Sequence, residues 1–212
     1  YQYSNGSIEC NICDKGYYQD IFGQTKCKEC NAGTYNILDT STSINDCISC
    51  LPGKYSNISA ADNKETCLNS PIGSYSSLKG SIKYTLCDKG HYQDKEGQVE
   101  CIPCNSGTYN SLYGATNSSF CLSSKPGFYS PIKGASIELP CNIGYWSNIT
   151  NAIKCNECNI GYYSDNVGSV VCLPCPTNHF TIGKGYSKCD SIGIPKEEVY
   201  SITHNHTKIQ IN

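Results

Sequence analysis

The chain has 212 residues, 38% hydrophobic and 16% charged, with a formal net charge of −2. Seventeen cysteines and seventeen tyrosines fill much of the hydrophobic share. Aliphatic side chains are therefore too scarce for the core of one or two ordinary globular domains, and charge falls well below the usual quarter. All sixteen basic residues are lysines; with no arginine and no basic stripe, nucleic-acid or phosphate recognition is not expected.

In chain order, residues 1–12 read as the back half of a truncated module. Tyr1 lies nine residues before Cys10 and Gly6 lies four before it, the places an aromatic and a second glycine take in a complete short module further on. The expected partner of Cys10 would lie upstream of Tyr1, so Cys10 is expected to be unpaired or to bond another molecule. The chain begins without a methionine and is expected to be processed or to be a piece of something longer.

Residues 13–189 form ten tandem modules of 17–20 residues. Read from the second cysteine of one Cys-x-x-Cys to the first of the next, the cysteine intervals are Cys13–Cys27, Cys30–Cys47, Cys50–Cys67, Cys87–Cys101, Cys104–Cys121, Cys141–Cys155, Cys158–Cys172 and Cys175–Cys189. Two further intervals hold Ser70 with Tyr84 and Ser124 with Glu138. Numbered in order, these are modules 4 and 7. Both members of a pair are missing each time, which is expected if the two positions are bonded to each other. Eight sequential, non-crossing disulfides follow. A zinc reading fails on the same losses. Grouping the cysteines in successive fours leaves later sites short of ligands, and a structural zinc site needs all four. Six Cys-x-x-Cys motifs without a βαβ pattern also argue against thioredoxin-type redox chemistry.

The backbone chemistry repeats with the sulfur. Three residues after each opening position stands Gly16, Gly33, Gly53, Gly73, Gly90, Gly107, Gly127, Gly144, Gly161 or Asn178, residues that suit a left-handed turn. Two residues later comes an aromatic: Tyr18, Tyr35, Tyr55, Tyr75, Tyr92, Tyr109, Tyr129, Trp146, Tyr163 or Phe180. In the short modules a second turn residue sits four before the closing position, as at Gly23, Gly80, Gly97, Gly134, Asn151, Gly168 and Gly185. Each module reads as turn, short extended stretch, turn and closure. A unit this small cannot enclose a core of its own, so one ring per module is expected to pack on its disulfide and its neighbour. The fold class expected is small and disulfide-rich: an elongated rod or solenoid of short β-strands and turns with almost no helix.

This disulfide density needs an oxidising compartment, and the expected localisation is extracellular, secreted or at a cell surface. Five Asn-x-Ser/Thr sequons agree: Asn5, Asn57, Asn117, Asn148 and Asn205. Asn57 and Asn148 each lie seven residues after an opening cysteine, in the matching strings Tyr55-Ser56-Asn57-Ile58-Ser59 and Trp146-Ser147-Asn148-Ile149-Thr150. No apolar run reaches membrane-spanning length.

Residues 190–212 change character. They lack cysteine, break at Pro195, and carry two strand-like segments, 199–204 and 207–211, around Asn205-His206. A lone hairpin is not stable in water. Strand addition to the incomplete first module of the next copy would give head-to-tail self-association. The alternatives are a tail docked on its own last module and the start of a further domain.

The string from Cys13-Asp14-Lys15-Gly16-Tyr17-Tyr18 through Cys27-Lys28-Glu29-Cys30-Asn31-Ala32-Gly33-Thr34-Tyr35 resembles the ephrin-receptor-like cysteine-rich repeat. It is similar also to the smallest modules of tumour-necrosis-factor-receptor ectodomains. The resemblance covers residues 1–189. It implies an extracellular rod of disulfide-closed loops and no particular ligand. Modules 4 and 7 depart from the family pattern, which puts rigidity in question near residues 70–84 and 124–138.

No catalytic constellation, metal site or cofactor site is read from the sequence. His91 and His179 occupy a slot that other modules fill with Thr, Ser, Lys or Tyr, and His204 and His206 sit in the polar tail. The chain is expected not to be an enzyme. The leading reading is an extracellular structural glycoprotein, a rigid rod and possibly the repeating subunit of a fibril. The other is the ligand-binding or stalk region of a cell-surface receptor.

Overall fold

The computed structural model describes residues 12–191, which include all ten modules. Cys10, Asn5, Asn205, His204, His206 and the strand-like segments of the tail lie outside the described residues.

Every module is a hairpin of two-residue strands. Tyr17–Tyr18 pairs antiparallel with Lys28–Glu29, Thr34–Tyr35 with Ile48–Ser49, and so on to His179–Phe180 with Asp190–Ser191. The second strand is thus the dipeptide between two module boundaries, the x-x of each Cys-x-x-Cys. The first turn precedes the first strand. In module 3 the Lys54 amide donates to the Leu51 carbonyl at 3.0 Å with Gly53 at φ 86° between them. That is a type II turn, whose third residue needs positive φ; Asn178 meets the same demand at φ 60°.

A second left-handed residue follows ten positions after each opening residue. In the short modules it is the Gly or Asn noted above. In the long modules 2, 3 and 6 it is Thr40 (φ 70°), Ala60 (φ 54°) and Gly114 (φ 67°). The long modules carry three extra residues before the closing cysteine. These coil into the 3-10 turns Ile44–Asp46, Lys64–Thr66 and Ser118–Phe120, the only helices among the described residues. Ser43, Asn63 and Asn117 cap them by accepting the Asn45, Glu65 and Ser119 amides. An insertion is accommodated without moving the hairpin.

A two-strand, two-residue sheet does not stand alone in water. The chain gathers into two compact units, Tyr1–Ser123 with Ser130–Glu138, and Ser124–Tyr129 with Leu139–Asn212. Within each unit most neighbouring modules are joined by the same three backbone hydrogen bonds; between modules 9 and 10 the first of them goes instead from the Gly161 amide to the Thr181 hydroxyl. In the first unit the Gly33 amide donates to the Ser56 carbonyl at 2.8 Å. The Asn36 amide donates to the Ala61 carbonyl at 2.9 Å, and the Ala60 amide donates back to the Cys30 carbonyl at 2.8 Å. In the second unit Gly144→Ser164, Ser147→Ser169 and Gly168→Cys141 repeat the pattern at 2.7, 3.1 and 2.7 Å.

Within each unit, modules also touch the second one along, as modules 3 and 5 and modules 8 and 10 show. A Cβ placed on Gly53 would lie 2.1 Å from the Gly97 carbonyl oxygen, and one on Gly144 would lie 2.0 Å from that of Gly185. The buried apolar residues are mostly opening cysteines and second-turn alanines, while nearly all the isoleucines and leucines are exposed. Backbone pairing and close stacking replace an aliphatic core.

The close approach can be separated from the φ requirement, because asparagine tolerates a left-handed backbone. Gly53→Asn is expected to lose about 2–4 kcal/mol of unfolding free energy with the disulfides intact, since backbone cannot yield to its Cβ. Gly23→Asn, where nothing lies within 4 Å, is expected to stay within about 0.5 kcal/mol. Denaturant unfolding of the two variants checks the contrast.

Candidate functional site

The repeated element that could carry function is the module face, built from a disulfide, an aromatic ring and the residue after it. Eight disulfides link Cys13–Cys27, Cys30–Cys47, Cys50–Cys67, Cys87–Cys101, Cys104–Cys121, Cys141–Cys155, Cys158–Cys172 and Cys175–Cys189, with Cα separations of 5.5–5.8 Å. Each closes its own module and none joins two.

Modules 4 and 7 keep their turns and strand pairs without sulfur. Ser70 and Ser124 sit in the opening position fully buried, and their hydroxyls donate to the Gln98 and Ala152 carbonyls, each at 3.3 Å. Both acceptors belong to the following module at the same place, just after its second turn. At the closing position of module 4 the Tyr84 ring meets Tyr55 edge-on, centroids 5.2 Å apart.

The aromatics are half-buried or, at Tyr18, buried; Phe180 of the last module is 39% exposed. Lysines lie over several rings: Lys28 over Tyr18, Lys89 over Tyr113 and Lys125 over Phe128, at 5.9, 5.4 and 4.2 Å from the centroids. Lys28 also pairs with Asp20 at 2.6 Å. That bond holds the Asp20 carboxyl below its ordinary pKa and the Lys28 ammonium above its own. Both groups are solvent-exposed, so the pair adds little to stability.

The residue after each aromatic escapes a reading of the sequence. It is Gln19, Asn36, Ser56, Ser76, Gln93, Asn110, Ser130, Ser147, Ser164 or Thr181, and all but Gln19 are buried. The longer ones tie down the loop that follows. The Asn36 Nδ2 donates to the Tyr17 carbonyl and the Ser41 hydroxyl at 3.0 and 2.7 Å, while its Oδ1 accepts the Leu38 amide at 3.0 Å. Gln93 spans the loop from the Lys95 amide to the Glu100 carbonyl. The signal was present as an unbroken column of small polar or amide residues. Thr40 and Ala60 also escape notice when turns are counted back from the closing cysteine, but counting ten forward from the opening residue finds them.

The grooves beside these faces are open and shallow. One of about 570 Å³ is lined by Tyr145, Trp146, Lys154, Glu157 and Lys184, and one of about 560 Å³ by Tyr35, Leu51, Lys54, Glu65 and Leu68. His91 lines a smaller one of about 200 Å³ with Asp88 and Glu100, but its Nδ1 faces the Lys89 carbonyl at 3.2 Å. The His179 Nδ1 faces the Thr177 carbonyl in the same way. Among the described residues no three His, Cys, Asp or Glu side chains converge as a metal would require, and no helix is long and apolar enough to cross a membrane.

The family model described as tyrosine-protein kinase ephrin type A/B receptor-like matches residues 1–47, 73–121 and 139–189, well over half of the chain. The chain belongs to this ephrin-receptor-like repeat family. No curated protein matches it. Of the stretches left unmatched, 48–72 and 122–138 hold the serine openings Ser70 and Ser124, and 190–212 is the cysteine-free tail. The family is a non-catalytic extracellular module type, and repeats with this many disulfides indicate an extracellular or cell-surface domain.

Two outcomes test these repeats. Ser70→Cys combined with Tyr84→Cys is expected to form a ninth bridge and raise stability by roughly 3 kcal/mol, read by thiol titration and thermal unfolding. In the buried column Asn36→Ala is expected to lose about 1–3 kcal/mol. Ser147→Ala and Ser76→Ala, whose hydroxyls have no partner among the described residues, should be neutral or stabilising.

Proposed function

We propose that the chain is an extracellular structural glycoprotein: a rigid spacer of stacked ephrin-receptor-like modules whose assembled form is a fibril. The observation that carries this reading is the repeated three-bond junction. It is made by backbone groups at most junctions inside each unit, and it leaves the side chains of the loops free to vary. Such a design holds a distance and builds no unique concave site.

Exposed sequons fit a solvated outer surface. Asn57 and Asn148 are exposed at equivalent loop positions. Asn117 is exposed too and uses its Oδ1 as a cap, which leaves Nδ2, the atom a glycan takes. We propose glycans at Asn57 and Asn148 foremost, then at Asn117, Asn5 and Asn205. Site-resolved mass spectrometry before and after glycosidase treatment is expected to show occupancy at Asn57 and Asn148; an unchanged mass would refute it.

The second reading, a ligand-binding or stalk region of a surface receptor, is favoured by the receptor-like family. Small-angle scattering and negative-stain imaging of native material separate the readings. The spacer requires a rod-like distance distribution, and its assembled form requires long uniform fibrils. Short isolated rods favour the stalk, and a compact distribution sinks the spacer.

A further inference from the structure

The backbone junctions leave the hairpin side chains free to vary, and in module 8 they vary together. In six modules the ring of the aromatic column faces an isoleucine or leucine across its strand pair, as Tyr35 faces Ile48 and Tyr163 faces Leu173. In module 8 the ring is Trp146, the sole tryptophan of the chain, and it faces Asn156. The adjoining pair is Tyr145 with Glu157, and the Tyr145 hydroxyl donates to the Glu157 Oε1 at 3.4 Å. Both rings are half-buried, while Asn156 and Glu157 are exposed.

These four side chains line the open groove of about 570 Å³ together with Lys154 and Lys184. The lining holds no isoleucine, leucine or valine, although Ile143, Ile149, Ile153 and Ile160 are exposed on the same module and the next. The chemistry of the groove is therefore aromatic and polar. The rings offer flat faces to C–H groups, the amide donates and accepts, the carboxylate accepts and the ammonium groups donate. A pyranose ring has C–H groups on its faces and hydroxyls around its rim, and it matches an aromatic platform edged by mixed donors and acceptors. A phosphate would meet Glu157 and find no arginine. An aliphatic ligand would find no aliphatic wall.

We propose that this groove is a saccharide-binding site for one or two pyranose rings, with Trp146 as the platform and Asn156 and Glu157 holding the hydroxyls. It is laid on the stack by side chains and is not a concavity of the fold. The sugar has two possible sources. One is the chain's own glycan at Asn148, two residues along from Trp146 and so at most about 7 Å away between Cα atoms. That source rests on the glycosylation proposed above; the groove itself does not. The other source is a glycan of a second molecule. An open groove that covers one side of a ring is expected to bind free sugar with a Kd of about 1 mM, and a short tether supplies an effective concentration of similar order. A glycan on Asn148 would thus compete with free sugar on near-equal terms.

Because Trp146 is the sole tryptophan, its emission reports on this groove alone. The full chain and the variant Thr150→Ala, which lacks the Asn148 sequon, are titrated with N,N′-diacetylchitobiose, disulfides intact, and mass spectrometry gives the glycan state of each. Thr150→Ala is expected to show a saturable change with a midpoint of about 1 mM. Asn156→Leu added to it supplies the residue that modules 3, 6, 7 and 9 carry at this place, so the hairpin is kept. It is expected to raise the midpoint at least about 10-fold. A higher midpoint in the chain glycosylated at Asn148 than in Thr150→Ala assigns the groove to the chain's own glycan. Equal midpoints, or an Asn148 without sugar, assign it to a glycan of another molecule. No saturable change in Thr150→Ala up to about 20 mM overturns the proposal, as does a midpoint that Asn156→Leu leaves unmoved. A response to a glutamate-rich peptide with none to the disaccharide also overturns it, by assigning the groove to an acidic peptide.

Discussion

The bare Cα of the turn glycine, pressed against a carbonyl oxygen two modules away, is the contact on which the stack depends. A Cβ at Gly16, Gly33, Gly53 or Gly90 would overlap a backbone oxygen at 2.0–2.2 Å. The residue is therefore constrained twice, by the left-handed turn and by the neighbour it admits. Removing the side chain lets two layers of backbone come near enough for the amides and carbonyls of the intervening module to find partners on both sides. Burial in this protein is mostly burial of backbone, cysteine and small polar groups, which is how a chain so poor in buried aliphatic residues holds tandem modules together.

Much of this was legible because the cysteine, turn-glycine and aromatic columns are covalent or steric demands that recur at a fixed interval. The near absence of helix followed from the same reading. What stayed hidden has physical reasons. Ser56, Asn110 and Thr181 are chemically dissimilar and individually suggest an exposed loop, yet share one buried place because each offers an acceptor to the turn amide of the module before it, a backbone carbonyl at Ser56 and Asn110 and the hydroxyl at Thr181. Thr40 and Ala60 adopt left-handed backbones that no composition rule assigns to them, held there by the amide each donates to an opening cysteine's carbonyl. The 3-10 turns were invisible because three residues carry no periodicity, although the caps Ser43, Asn63 and Asn117 stand in front of them.

Modules 4 and 7 show how the work is divided between sulfur and backbone. Both keep the hairpin, the two left-handed turns and the buried opening residue after the bridge is gone. The disulfide is thus not what shapes a module. It removes freedom from the unfolded chain, and a serine hydroxyl reaching a carbonyl of the next module satisfies the folded one.

Because every bridge among the described residues closes within its own module, these modules have an uneven response to pulling. Under tension a bridged module that comes loose can lengthen only through the short dipeptide between bridges, about 10 Å from Cys27 to Cys30, since the loop behind its disulfide bears no load. From Cys67 to Cys87, and again from Cys121 to Cys141, no bridge intervenes, and each stretch can pay out about 70 Å of chain. The two sulfur-free modules are the protein's extensible links, set between segments that scarcely stretch.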